Sequence, residues 1–435
     1  MRPPGRRPSR CRQRAEPDPG APPAAARAGG AAHQGTSRHE TDTRRRGEGD
    51  MARTATGLDA EAAVVGLGAW GACSLWQLAR QGVDVIGIDR YGIGNVHGSS
   101  YGESRMFRTA CLEHPGLVPL AQRSRELWAE LEEQTGRVLM ERTGAMLIGP
   151  PDGRIVGGAL RAAREHRLDI ELLDPASMRE RVPAHAGLPD DHVGVLEPAG
   201  GLTYPEHTIA AAVDAARAAG ARVVTDTRVT AVEPGNDGIV VRTALRTLRV
   251  ARLVVAAGPW LSQLVPGLPL DVLRMPTTWF TPAEPDPRFT LERLPVFMRE
   301  LADGNVIWGH GTLPGGTEVK LGLEDGGRHF RVVDPENMDR SVSPADWSVL
   351  SRILPAAVPG LGDTPSRATA NLYARTPDGQ FLLGPLRHDP RIIVAGGCNS
   401  HGFKHATGIG EAVADMVRGR TPAVPLGFAD PNSLR

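Results

Sequence analysis

One short run, Gly66-Leu67-Gly68-Ala69-Trp70-Gly71, constrains this chain more than any other part of it. Glu61–Val65 leads into the run; Ala72–Gln81 and Gly82 come next, and Val83–Ile88 then ends at Asp89. The order predicts a strand, a glycine turn, a helix closed by a glycine, and a second strand. Glycines at these spacings allow a tight turn and a close backbone approach to a pyrophosphate. The charge of such a group suits the free N–H groups and dipole of a helix N-terminus. Asp89 comes roughly 20 residues after the turn, where a carboxylate can accept a hydrogen bond from a ribose hydroxyl. The unit predicts a dinucleotide-binding α/β domain, with NAD and FAD both still open.

At 435 residues the chain is too long for one ordinary domain, and two or three are expected. Lys+Arg and Asp+Glu number 50 each, which leaves no net charge to attract nucleic acid or an anionic membrane surface. No uncharged apolar run approaches the ~18 residues of a spanning helix, so no membrane partner is expected. Cys11, Cys73, Cys111 and Cys398 lie far apart with no CxxC pair. They fit neither a disulfide framework nor a zinc site, and a reducing cytoplasm is the expected location. His401 and His405 are spaced i, i+4, but no Glu or Cys cluster completes a metal site, so no metal is expected.

The cations are unevenly placed. Residues 1–50 hold eleven Arg against six acids and no large aliphatic residue after Met1. Such a stretch cannot bury enough surface to offset its chain entropy, so residues 1–58 are expected to be a disordered Arg/Pro/Ala-rich extension. Met51, directly before the lead-in to the first strand, is the expected true start. Lysine occurs only at Lys320 and Lys404, against 48 Arg. A chain that uses Arg for nearly every cation marks those two positions as places where a compact ammonium is needed.

The stretch after Asp89 separates the two cofactors. A nicotinamide dehydrogenase would continue with regular βα units. Instead comes the loop Arg90–Ser104, with Gly92, Gly94, Gly98 and Gly102, and then Arg105-Met106-Phe107-Arg108. From about residue 60 to 425 the chain resembles the monomeric sarcosine oxidase and N-methyltryptophan oxidase family, FAD-dependent amine oxidases of the D-amino-acid-oxidase-like superfamily. The resemblance rests on Gly66–Gly71, Gly98-Ser99-Ser100-Tyr101-Gly102-Glu103-Ser104-Arg105 with Arg108, Val118–Glu130, Ala256-Ala257-Gly258-Pro259-Trp260 and His401-Gly402-Phe403-Lys404.

The implied fold is α/β, a Rossmann-type FAD-binding domain with an inserted α+β substrate domain built on an antiparallel sheet. Residues 59–110, 195–262 and 366–425 would form the FAD-binding domain, and 111–194 and 263–365 the substrate domain. The residue pattern agrees. Val223-Val224, Val229 and Leu253–Ala257 read as returning strands of the nucleotide sheet, and Ile392–Ala395 as a further buried strand ahead of a helix from about Gly408 to Val417. Val306–Trp308 and Glu318–Leu323 read as strands of the antiparallel sheet.

The resemblance implies FAD held by Gly66, Gly68, Ala69, Trp70, Gly71, Asp89, Arg90, Ser99, Ser104, Arg105, Val229, Gly258, Trp260, Gly402, Phe403 and Lys404. Read without it, Trp260 would be ordinary packing. In the family an early Arg and a late Lys grip the substrate carboxylate, and the matching positions are Arg108 and Lys404. Lys320 matches the lysine that faces the flavin and promotes its reaction with oxygen; a solvated strand face would be the default from alternation alone. Tyr373 matches a tyrosine lining the substrate cavity.

Three departures stand out. Asn371 occupies the position of the family's flavin-linked cysteine, so non-covalent FAD is expected. Glu324 replaces a histidine, and Tyr101 stands where a histidine is common. Cys398-Asn399-Ser400 also differ from the usual Phe-Ser-Gly. The expected activity is oxidation of a secondary-amine amino acid, sarcosine-like or N-methylated, by a monomer that uses O2. Hydride transfer to flavin would give an imine for hydrolysis, and reoxidation would yield hydrogen peroxide. The alternatives are a D-amino-acid or glycine-type oxidase, an FAD-dependent amine dehydrogenase, or a flavin-binding subunit without catalysis.

Overall fold

The computed structural model describes residues 57–324 and 330–433. The extension expected over 1–58 and the start expected at Met51 lie almost wholly outside the described residues.

Ala60–Val65 is the centre of the first sheet. It pairs in parallel with Val85–Ile88 on one side (Val64 opposite Gly87) and with Thr247–Val255 on the other (Val64 opposite Val254). Arg222–Val224 extends the sheet beyond Val85–Ile88, also in parallel. Strands buried on both faces need continuous apolar runs rather than alternation, which the Ala62-Ala63-Val64-Val65 run supplies. On the edge away from Ala60–Val65, the nine-residue strand Thr247–Val255 serves two partners. Its second half pairs in parallel with Asp389–Gly396, and its first half pairs with Gly238–Thr243 of the hairpin that begins at Val229. Leu382–Leu386 closes the far edge antiparallel to Asp389–Gly396. The strands expected around Val223, Val229, Leu253 and Ile392 therefore all join one sheet.

The helix Ala69–Arg80 comes directly after the glycine turn and packs against both Pro205–Ala218 and Ala406–Val417. Its contact with the last helix is close because of Gly410, where a Cβ would sit 2.5 Å from the carbonyl oxygen of Cys73.

The second sheet is mixed. Its path runs Arg331–Val332, Asp271–Phe280, Val319–Glu324, Val306–His310, Val296–Glu300, Ala145–Gly149, Val193–Glu197 and Glu171–Leu173. All neighbours are antiparallel except Val296–Glu300 with Ala145–Gly149. Arg367–Arg375 also hydrogen-bonds along Asp271–Phe280, with Asn371 opposite Met275 and Tyr373 opposite Leu273. That strand falls in the 366–425 segment expected in the FAD-binding domain, yet it pairs in the second sheet, where its register places Asn371 and Tyr373. Val193–Glu197 likewise lies in the second sheet, across the boundary drawn at 194/195.

A small third sheet of Arg105–Phe107, Gly201–Thr203 and Met140–Glu141 fixes the backbone between Arg105 and Arg108. Among the described residues no helix is long and apolar enough to cross a membrane.

Candidate active site

A cavity of about 1470 Å³, its mouth included, opens at the C-terminal ends of the parallel strands, where Val65, Ile88, Ala256 and Gly396 reach its wall. Open α/β sheets place ligands at that end of the strands. Its floor is the glycine turn. Gly66 has φ +89°, and a Cβ there would lie 2.5 Å from the Ala256 carbonyl oxygen. A side chain at Gly71 would run into the Gly66 carbonyl, so Gly71 supports the turn from behind while Gly68 opens onto the cavity. Gly68 caps the helix Ala69–Arg80 with no side-chain hydrogen bond, and Ala69 N donates to Ser100 Oγ at 3.3 Å, which leaves the first-turn N–H groups beyond Ala69 for an anion.

Asp89 ties this turn to the next. Its Oδ2 accepts from Leu67 N at 2.7 Å and its Oδ1 from Tyr91 N at 2.8 Å. Burial pushes its carboxyl pKa up, and the two N–H bonds oppose that. Arg90 lies over the rings of Tyr91 and Trp260 and makes a bidentate pair with Glu336 at 2.7 and 3.0 Å. Trp260 lines the cavity. On the opposite wall, Trp70 Nε1 donates to Gly402 O at 3.0 Å, which joins the first helix to the late loop.

The donor and acceptor set fits FAD. Ser99 Oγ, Trp260 Nε1 and Asn371 Oδ1, along or beside this wall, are buried with no partner among the described residues. Buried polar atoms are normally satisfied, so three orphans around one cavity point to a polar ligand. Gly66 through Ala69 would hold the pyrophosphate, and the Asn371 amide would meet the isoalloxazine end.

At that end Arg105, Lys320 and Asn371 gather around Gly102, whose φ is +116°. Arg105 donates to the carbonyls of Ser104 at 2.7 Å, Tyr101 at 2.6 Å and Ser99 at 3.1 Å. Glu206, in the first turn of Pro205–Ala218, accepts from Gly102 N and Glu103 N at 2.8 and 3.1 Å. The loop is thus clamped from both sides. Lys320 is 2% exposed and donates to Gly102 O at 2.6 Å, Ser104 O at 3.1 Å and Ser104 Oγ at 3.0 Å. Burial drives its pKa well below that of a free lysine, and Arg105 adds to the fall.

Arg108 and Lys404 form a second cluster. Arg108 Nη2 donates to Glu113 Oε1 at 2.5 Å, and Lys404 Nζ lies 3.8 Å from the same oxygen. Burial alone would raise the Glu113 carboxyl, but Arg108 and Lys404 outweigh it and hold the pKa well below the usual range. Burial lowers the Lys404 pKa, and Glu113 opposes it. The backbone after Arg108 is held by Glu197, which accepts from Thr109 N at 2.8 Å and Ala110 N at 2.9 Å. Lys404 Nζ also donates to His401 O at 2.8 Å.

Residues 61–416 match the family described as FAD dependent oxidoreductase. The chain belongs to this family. It is 33% identical over 380 residues to a monomeric sarcosine oxidase of Streptomyces avermitilis, covering 85% of this chain and 97% of that one. It is 30% identical over 366 residues to an N-methyl-L-tryptophan oxidase of Citrobacter koseri, covering 83% and 96%. Its fold is similar to the open form of NikD, described as an unusual amino acid oxidase essential for nikkomycin biosynthesis. There the TM-score is 0.73 at 25% identity, with 86% and 97% of the two chains covered.

As an FAD dependent oxidoreductase, the chain places Gly66, Gly68, Ala69, Trp70, Asp89, Arg90, Ser99, Arg105, Val229, Gly258, Trp260, Gly402 and Phe403 on the cavity wall, together with Tyr373. Gly71, Ser104 and Lys404, expected at the cofactor, are off that wall: the first supports the turn, the second holds Lys320, and the third pairs with Glu113. Glu113, Glu206, His310 and Glu336 were not singled out by the sequence. Glu113 had one available signal, an acid five residues after a buried Arg. Among the described residues no group of three His, Cys, Asp or Glu side chains is placed to hold a metal.

Proposed function

We propose that this protein is an FAD-dependent oxidase of amino acids bearing a secondary amine, acting on the CH–NH bond with O2 as acceptor. The observation that carries the reading is the pair Arg108 and Lys404, both buried and both aimed at one carboxylate oxygen. In the working enzyme the substrate carboxylate takes the place of the Glu113 carboxylate between these cations. Two charge-assisted contacts then fix the amino acid and present its amine toward the cavity, beside Tyr373. When bound, FAD supplies the hydride acceptor for the carbon next to nitrogen. Lys320 holds a positive charge where the reduction of oxygen develops negative charge.

The FAD is non-covalent in this reading. Asn371 has no thiol, and its Nδ2 is engaged with Thr277 Oγ1 at 2.9 Å. Cys398 lines the cavity, but burial raises its pKa, which keeps it a thiol rather than a nucleophilic thiolate. The protein works as a monomer in the cytoplasm, a reading supported by three free cysteines among the described residues and the monomeric relative.

The test is the visible spectrum of the holoenzyme, recorded anaerobically with sarcosine, N-methyl amino acids, proline-like cyclic amino acids and D-alanine. Bleaching by a secondary amine, with peroxide formed on admitting air, is the expected result. Bleaching by D-alanine alone would move the assignment to a primary-amine oxidase, and bleaching without peroxide would make the protein a dehydrogenase. Acid precipitation is expected to leave all flavin in the supernatant.

A further inference from the structure

Lys320 is held by a chain of hydrogen bonds whose directions can be assigned. His310 lies directly opposite it across the antiparallel pair of Val306–His310 with Val319–Glu324. The Gly311 carbonyl can only accept, so His310 Nδ1, 2.6 Å away, carries the ring proton. Burial depresses the His310 pKa to about 3, so the ring is neutral and its Nε2 has a free lone pair. Ser104 Oγ, 2.7 Å from Nε2, must therefore donate its only proton to His310. What Ser104 Oγ turns toward Lys320 Nζ, at 3.0 Å, is a lone pair. With Gly102 O and Ser104 O, all three partners of Nζ are acceptors.

That arrangement suits an ammonium and excludes a neutral amine, whose lone pair would meet no donor. The charged groups facing Lys320 are split: Arg105 and Arg367 repel it, Glu206 and Glu103 attract it, and neutral His310 closes the set. The rings of Trp279 and Trp308 lie 5.4 and 6.0 Å from Nζ. Burial works against the charge, so acceptor geometry is what keeps the proton in place.

We propose that His310, acting through Ser104, is a positioning residue that keeps Lys320 a hydrogen-bond-donating ammonium at the isoalloxazine end of the FAD site. The proposal rests on the reading of Lys320 as the cation that faces the flavin. Without His310, the Ser104 hydroxyl can rotate and donate to Nζ, and the neutral amine gains a partner.

The composition makes the test direct, because the whole chain has only two lysines. Lysine labelled with 13C at Cε gives two resonances in the FAD-loaded protein, assigned with Lys404→Met and titrated with pH. Lys320 is expected to be charged at pH 7. His310→Phe is expected to lower its pKa by about 1 to 2 units, the loss of one charge-assisted hydrogen bond. His310→Gln can accept from Ser104 and donate to Gly311, and is expected to titrate like wild type. A neutral Lys320 in the wild type, or an unchanged pKa in His310→Phe, overturns the proposal. If His310→Phe does not fold, Ser104→Ala removes the oriented hydroxyl and must lower the same pKa; an unchanged value there overturns the proposal equally. Lys320→Met separates this from the functional reading. Reoxidation of the reduced Lys320→Met enzyme by O2 at the wild-type rate would remove the oxygen role of Lys320, while the lysine titration still decides the role of His310.

Discussion

The two ends of the cavity are built in different ways. The pyrophosphate end is made of backbone. Gly71 packs on the Gly66 carbonyl and the Asp89 carboxylate closes the turn through two N–H groups within one βαβ unit, and Gly66 lies close against the backbone of Ala256. The substrate end is made of side chains brought from far apart. Arg108 and Lys404 meet at Glu113, while Glu206 and Glu197 hold the backbone before and after Arg108 from other elements. A backbone site tolerates almost no change of shape and carries no choice of ligand. A side-chain site can change its ligand by changing one residue.

The largest expected effect is therefore at the cradle. Gly66→Ala places a methyl group 2.5 Å from the Ala256 carbonyl in a residue with φ +89°. The strain of the left-handed conformation is about 1–3 kcal/mol before the clash is added. The variant is expected to purify with little or no flavin, read from the ratio of visible to ultraviolet absorbance. Full flavin content would mean that this turn is not the cofactor's cradle.

The substrate end should behave in the opposite way. Lys404→Met removes one of two cations and is expected to raise KM for the amino acid roughly 10- to 100-fold, with flavin content unchanged. Lost flavin with unchanged KM would break the comparison, because it would put Lys404 at the cofactor instead.

The same contrast explains what the sequence showed. The cradle was legible because its determinants are local: glycine spacing, strands apolar on both faces, and an acid at the end of the second strand. Lys320 was harder. Alternation of Glu318 and Lys320 suggests a wet face, but Val319, Lys320 and Leu321 are all buried, because the sheet is covered on both sides there. Only lysine scarcity and the family resemblance pointed to it. His310 left no trace in the pattern, since its role depends on cross-strand register with Lys320 and on a loop some 200 residues earlier in the chain. Trp260 reads as packing until Arg90 and the cavity are placed around it. Arg367–Arg375 reads as part of the nucleotide-binding region until its pairing with Asp271–Phe280 is known.

The smallest effect sharpens the comparison most, because its two parts have opposite signs. Glu113 Oε1 neutralises two buried cations in the free protein, and Glu113 Oε2 is buried without a partner among the described residues. Its depressed pKa means that the folded state favours the carboxylate. The stability it contributes is present above the ordinary carboxyl value of about 4.3 and is lost as pH falls through the lower folded value. Glu113→Gln removes that contribution at neutral pH and leaves Arg108 and Lys404 without this counter-charge, so the free protein should melt at a lower temperature. It also removes the group that competes with a substrate carboxylate, so substrate or a carboxylate analogue should bind several-fold tighter and raise the melting temperature by more than in wild type. Thermal melts with and without the analogue, between about pH 3.5 and 7, check both parts. The stability difference between wild type and Glu113→Gln should narrow toward the acid end, where Glu113 of the unfolded wild-type chain takes up its proton before the folded one does. A variant that is destabilised but gains no affinity would show that Glu113 only neutralises the cations and does not hold the substrate's place.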